Sequence, residues 1–204
     1  MIIFLSSLLV IIILHEASHL LVAKLCGCGV IRYSIGFGKP VLFSKMINGT
    51  VYQITPWIFG GFCELKDELT CNQDADSFSN QTYSKKLSIS IAGCVANLLI
   101  GIACILLSFK IHYLVFYFGV MNILLGVSNL LPIPALDGSY PFLFLFEKFF
   151  KKQQVYEWGN KVFGVFLKIL LISNLIALPF FLFSGIKMIN DSMFFLWNCY
   201  RGII

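Results

Sequence analysis

"IIILHEASHLLVAK", residues 11–24, sets two histidines and a glutamate inside an otherwise apolar run. Ionisable side chains are rare within hydrocarbon, and where they occur they mark sites, relays or pathways. Whether this run crosses a membrane therefore decides both the fold and the chemistry.

The composition of the 204-residue chain points to a membrane. It is 58% hydrophobic and 12% charged, with a mean hydropathy of +0.86. A soluble domain carries about 25% charged residues. The N-terminus has no basic segment and no small-residue cleavage site before Lys24, so it does not read as a removable signal peptide. A net charge of +5 could suggest nucleic acid, but the basic residues scatter beside apolar spans, as positive-inside topology requires. No nucleic-acid partner is expected. The seven cysteines form no CxxC pair, which argues against a zinc ribbon or a disulfide framework and for reduced structural residues.

Apolar stretches long enough to span a bilayer predict about four transmembrane helices, at about 2–25, 87–109, 113–131 and 162–183. The fold class expected is an all-α polytopic membrane protein, one membrane-embedded domain over 1–204, with a β-hairpin loop at about 35–63 between the first two spans. That hairpin is signalled by Asn48-Gly49 between two strand-like runs, 41–45 and 51–55. The following stretch, "KDELTCNQDADSFSNQTYSKK", reads as polar and irregular. Residues 139–152, "SYPFLFLFEKFFKK", read as an interfacial helix, and the tail "MFFLWNCYRGII" as lying at an interface.

Charge sets the orientation. Lys24, Arg32, Lys39, Lys45, Lys66, Lys85 and Lys86 lie in the first loop, and Lys148, Lys151, Lys152 and Lys161 lie between the third and fourth spans. Only Lys110, Lys187 and Arg201 fall on the other side. Both basic loops are therefore expected in the cytoplasm and both termini outside.

On a helix, His15 and His19 share one face. Two imidazoles so spaced can grip one zinc ion, and Glu16, about 100° round, can take the proton of a metal-bound water. The bland alternative is that all three are packed polar residues in a helix contact, which does not account for three ionisable groups in five intramembrane positions. A catalytic zinc needs a third protein ligand and an open position. The best candidate is Asp137 in "SNLLPIPALDGSYP", where Pro132 and Pro134 end the third span and can turn the chain back. Alone, such an aspartate is more often a turn former. Parity strengthens the case: His15 is nine residues from Lys24, about 13 Å below the cytoplasmic end, and the third span runs in the same direction and delivers Asp137 to the same side.

These residues resemble the site-2 protease family of intramembrane zinc metalloproteases, and the resemblance covers most of the chain. HEASH is similar to its HExxH motif, and "NLLPIPALDG", Asn129 to Gly138, to its second signature. "IAGCVANLL" resembles its AGPxxN element, with Gly93 and Asn97 retained and Cys94 standing where the family has proline. The resemblance implies a zinc-dependent endopeptidase that cleaves a transmembrane protein or peptide within the lipid bilayer. His15, His19 and Asp137 would be the metal ligands, Glu16 the catalytic base, and Zn2+ the single cofactor. The enzyme would sit in the cell membrane with its active site toward the cytoplasm. A composition low in Pro and rich in Ile, Phe, Asn and Lys points to a bacterial source.

"IGFGKP" with "YQITPWIFGGF" resembles the membrane-inserted hairpin of the bacterial branch that includes the anti-sigma-factor proteases, where an exposed strand edge can receive an unwound substrate. On the residues alone an ordinary surface hairpin fits as well. Gly60 and Gly61 of this stretch, with Asn97 and Asn129, are the candidate substrate-binding residues. The two asparagines could equally be interhelical glue, worth around 0.6 kcal/mol each. With no PDZ or CBS domain, a minimal catalytic core is expected. Its oligomeric state, substrate and pathway are not readable. The competing reading is a metal or proton transporter using the same His/Glu/Asp cluster, although no paired repeats or broken helices are evident. A prenyl-protein type of membrane zinc protease would need a downstream glutamate ligand, and spans two to four contain none.

Overall fold

The computed structural model describes residues 2–68, 70, 74–134, 136–147 and 149–151, with isolated positions between 154 and 165 and Trp197. The span expected at 162–183 and the tail from 193 lie almost entirely outside the described residues.

The first helix, α1 (Ile2–Leu25), occupies the first expected span. It ends in a Schellman turn at Gly27, whose φ of +75° suits a residue without a Cβ. Cys28 N–H donates to Ala23 O and Gly27 N–H to Lys24 O, closing the last turn. Lys85 Nζ then caps a remaining carbonyl, that of Cys26, at 2.8 Å.

Four strands follow: β1 (Val30–Phe37), β2 (Phe43–Ile47), β3 (Thr50–Ile54) and β4 (Trp57–Leu65). The β2–β3 hairpin closes on Asn48 and Gly49, at φ +49° and +78°, in register Ile47 with Thr50. Two positive φ values in a two-residue loop match the twist of the flanking strands. The sheet is larger than the single hairpin expected from sequence, and the description as all-α is corrected accordingly. Its order is β2-β3-β1-β4, with β1 parallel to β3 and antiparallel to β4. β1 is central and β4 an edge strand. Tyr33 Oη donates to Ile13 O, tying β1 to α1.

A polar segment with a short 3-10 turn at Phe78–Asn80 leads into α2 (Tyr83–Ser108), and His112 caps α3 (Tyr113–Asn129) by accepting from Leu114 N–H. α1 and α2 are long and apolar enough to cross a membrane; α3, 17 residues long, is shorter but apolar. α2 and α3 approach through Gly101 and Gly119. A Cβ on Gly101 would lie 2.8 Å from Gly119 O, and one on Gly119 2.9 Å from Gly101 O. Small residues at such a crossing let two backbones pack where lipid supplies no hydrophobic drive.

After α3 the chain turns at Pro132 and Pro134, forms a 3-10 turn at Asp137–Ser139 and enters the short α4 (Tyr140–Phe146). Phe144 of α4 inserts into a core with Ala23, Cys28, Val30, Leu65, Phe78 and Ile89. Lys86, 3% exposed at its side chain, pairs with both oxygens of Glu147 at 2.9 and 3.0 Å. These contacts fix the segment carrying Asp137 against the start of α2.

Candidate metal centre

His15 and His19 lie one turn apart on α1, both buried, with Nε2 atoms 3.3 Å from each other. Asp137 Oδ2 stands 2.9 Å from His15 Nε2 and 3.2 Å from His19 Nε2. Among the described residues, these three form the one His/Cys/Asp/Glu group whose ligand atoms converge closely enough to share an ion.

The chemistry of the donors fits zinc. Ligands at about 2.0–2.1 Å from a tetrahedral zinc are separated by about 3.4 Å, close to the three distances observed. His19 Nδ1 lies 2.7 Å from Ile89 O, which can only accept. That contact puts the proton on Nδ1 and turns the lone pair of Nε2 toward Asp137. With the ring neutral, that lone pair and the carboxylate oxygen face each other as two donors to one cation. At the other ring, the Asn97 amide lies 3.1 Å from His15 Nδ1 and is fully buried in α2.

Two glycines make room for this arrangement. A Cβ on Gly93 would fall 2.4 Å from His19 Nε2 and 2.6 Å from His15 Cε1, so α2 meets the imidazoles with bare backbone. A Cβ on Gly138 would fall 2.2 Å from Leu130 O, so the Asp137 turn folds tightly onto the end of α3. Cys94, in place of the family proline, is fully buried, and its Sγ reaches Asp137 Oδ2 at 3.4 Å.

Glu16 points from α1 toward β4. The backbone N–H of Cys63 faces its carboxylate, and His15, His19 and Asp137 are its charged neighbours. A Cβ on Gly61 would be 3.0 Å from Glu16 Cγ and 2.8 Å from Ser34 O. Gly61 thus lets the edge strand lie directly on the glutamate. Gly60, next along β4, has its α-carbon face covered by the Phe37 ring. Asn129 Nδ2 stands 3.3 Å from His15 Nε2, at the rim of the centre. His112 is the α3 cap, away from these groups.

The sequence points to neither the Ile89 carbonyl nor the Cys63 amide, and to Cys94 only as a departure from the family's proline. Backbone groups carry no side-chain signature. The position of Cys94 within the AGPxxN-like element was the one available hint.

The peptidase family M50 model matches residues 3–113 and 107–172. A candidate zinc metalloprotease of Neisseria meningitidis is 34% identical over 111 residues, 52% of this chain and 25% of its own length. Protease RseP of Yersinia pestis and the regulator of sigma-E protease RseP of Salmonella typhimurium are each 32% identical over 133 residues, 63% of this chain and 28% of theirs. The chain thus spans little more than a quarter of the length of these relatives. The family match covers far more than half of the sequence and includes every residue of the converging His15, His19 and Asp137 cluster, so this bacterial-type membrane chain belongs to peptidase family M50, the site-2 protease family.

Proposed function

We propose that the chain is a zinc-dependent intramembrane endopeptidase that cuts transmembrane segments of membrane-protein substrates. The observation that carries this reading is the convergence of His15, His19 and Asp137 beside Glu16, at the outer edge of β4, which pairs only with β1 among the described residues. The relatives are named as proteases, and nothing favours transport.

His15, His19 and Asp137 hold the metal. Bound zinc supplies Lewis acidity, lowering the pKa of its water and polarising the scissile carbonyl. Glu16 takes the proton of the attacking water and returns it to the leaving nitrogen. Cys63 of β4 presents its backbone N–H toward the Glu16 carboxylate. Asn97 serves His15: a histidine that gives Nε2 to a metal keeps its proton on Nδ1, and the buried amide, turned with its oxygen toward the ring, would accept it there. Its complete burial favours this positioning role over the substrate contact expected from sequence. Asn129, at the rim, is the amide that meets the substrate backbone.

A peptide bond within a helix is shielded by its own hydrogen bonds, so the substrate unwinds before it is cut. The outer edge of β4 supplies main-chain partners for the unwound strand, and such pairing demands no particular sequence. Gly60 and Gly61 belong to this receiving strand. The basic residues of the first loop put the centre toward the cytoplasmic side of a four-span bundle, with the sheet associated with the membrane.

The test is co-expression with single-span reporter proteins, comparing wild type with Glu16→Ala. Wild type is expected to release fragments cut within the span, and the variant none. Cleavage at full rate in the variant contradicts the assignment.

A further inference from the structure

Glu68 and Tyr140 form a hydrogen bond that the reaction outlined above does not use. The Tyr140 hydroxyl donates to Glu68 Oε1 across 72 residues of sequence. Each partner sits next to a working part of the site. Glu68 lies three residues beyond Leu65, the end of β4. Tyr140 opens α4 immediately after the Asp137–Ser139 turn.

Other contacts also hold α4, among them two that face other elements. Phe144 packs on Phe78 with ring centroids 5.7 Å apart, and Lys86 pairs with Glu147 from α2. Apolar packing sets the depth of α4 and the Lys86–Glu147 pair ties its C-terminal end to α2, while Tyr140 holds its N-terminal end, beside the Asp137 turn. A hydrogen bond is directional and short, and it sets one distance. Metal and catalytic constellations need their members held within about 0.5 Å of the working geometry. The Tyr140 ring, 6.0 Å from that of Phe144, is braced against the core and cannot simply follow a displaced hydroxyl. Both side chains are half-buried, and burial raises the Glu68 carboxyl and the Tyr140 phenol above their ordinary values.

We propose that Glu68 and Tyr140 are positioning residues whose hydrogen bond fixes the Asp137 turn against the end of β4. The metal ligand and the substrate-receiving strand are thereby kept at one spacing. This rests on the reading of β4 as the strand that takes substrate. Neither residue touches the metal or the reacting atoms. Their effect is transmitted through three residues of turn on one side and three of loop on the other.

The test uses the full chain purified in detergent, with four variants: Tyr140→Phe, Glu68→Ala, Tyr140→Phe/Glu68→Ala and Glu68→Gln. Three quantities are read: zinc affinity by chelator competition, kcat and KM on a single-span reporter, and melting temperature. Tyr140→Phe and Glu68→Ala are each expected to lower kcat by about 100-fold, the cost of a misplacement near 1 Å. KM should stay within about twofold, because the strand edge is unchanged, and zinc affinity should fall by about 10-fold. The double variant should be no worse than either single one, since both remove one bond. Glu68→Gln keeps an acceptor for the hydroxyl and should restore most of kcat.

Wild-type kcat and zinc affinity in Tyr140→Phe overturn the proposal, as do fully additive losses in the double variant. If Tyr140→Phe does not fold, equal losses in Glu68→Gln and Glu68→Ala overturn it. If the wild type itself leaves the reporter uncut, the protease reading fails and the zinc-affinity arm alone decides the positioning role.

Discussion

Asp137 Oδ2 stands 3.2 Å from His19 Nε2 across 118 residues of sequence. No local preference brings these atoms together. The contact depends on α1 and the α3–α4 turn meeting at one depth, with α2 between them contributing a glycine and a carbonyl. The site is therefore a property of the bundle, and substitutions at several distant positions should register as one change in metal binding.

Removing a ligand should remove the metal. His15→Ala, His19→Ala and Asp137→Ala are each expected to weaken zinc binding by more than the roughly 10–100-fold typical of an outer partner. Chelator competition on the purified variants measures this, and undiminished affinity in Asp137→Ala would remove it from the ligand set.

Gly93→Ala should behave like a ligand substitution although glycine offers no donor. Its Cβ would arrive 2.4 Å from His19 Nε2, and either α2 or both imidazoles must move. Zinc content should collapse while the helical circular dichroism signal persists. Normal zinc content would mean that α2 shifts at no cost to the centre.

Asn97 and Asn129 should separate by readout. Asn97→Ala is expected to lower zinc affinity by about 10–100-fold, as loss of an outer hydrogen bond to a ligating histidine does. Asn129→Ala should keep its zinc and lose kcat. The opposite pattern would exchange their roles.

Gly61→Ala places a methyl group 3.0 Å from Glu16 Cγ and 2.8 Å from the Ser34 carbonyl. Proteolysis should fall steeply with zinc content unchanged, because the clash falls on the base and the strand and spares the ligands. Loss of zinc together with activity would instead indicate general unfolding of the sheet.

A pH effect is expected in the loop before α2. The hydrogen bond from Lys66 holds the Asp76 carboxyl below its ordinary value, and the two pair at 2.7 Å. A carboxyl depressed on folding stabilises the fold above its unfolded pKa, and that contribution fades as pH falls through the folded value. The melting temperature of wild type relative to Asp76→Asn should be constant above about pH 5 and decline below about pH 4. Because the pair is exposed, added salt should shrink the difference.

The centre was largely legible in the sequence because its parts obey short rules. His15 and His19 are set by helical periodicity, and Asp137 was expected beside them from the proposed span parity and two prolines. The Asn48-Gly49 turn was equally plain, since two positive φ values leave few residue choices. What surrounded them was not. β1 pairs in parallel with β3 through a connection that no local pattern announces, and β4 carries Gly60 and Gly61, which dilute a strand signal. The burial of Asn97 behind His15, the approach of Gly61 to Glu16 and the Glu68–Tyr140 bond all depend on distances between elements, and a single sequence does not contain those.

The most direct measurement of the central claim is the rate at which reconstituted, zinc-loaded protein cuts a single-span reporter, compared between wild type and Glu16→Gln. The substitution keeps the size of the side chain and leaves His15, His19 and Asp137 in place. The expected result is equal zinc content in both, one ion per chain, with cleavage within the span by wild type and a loss of at least about 100-fold in the variant, the lower range for removal of a general base. Cleavage by Glu16→Gln at the wild-type rate would contradict the account.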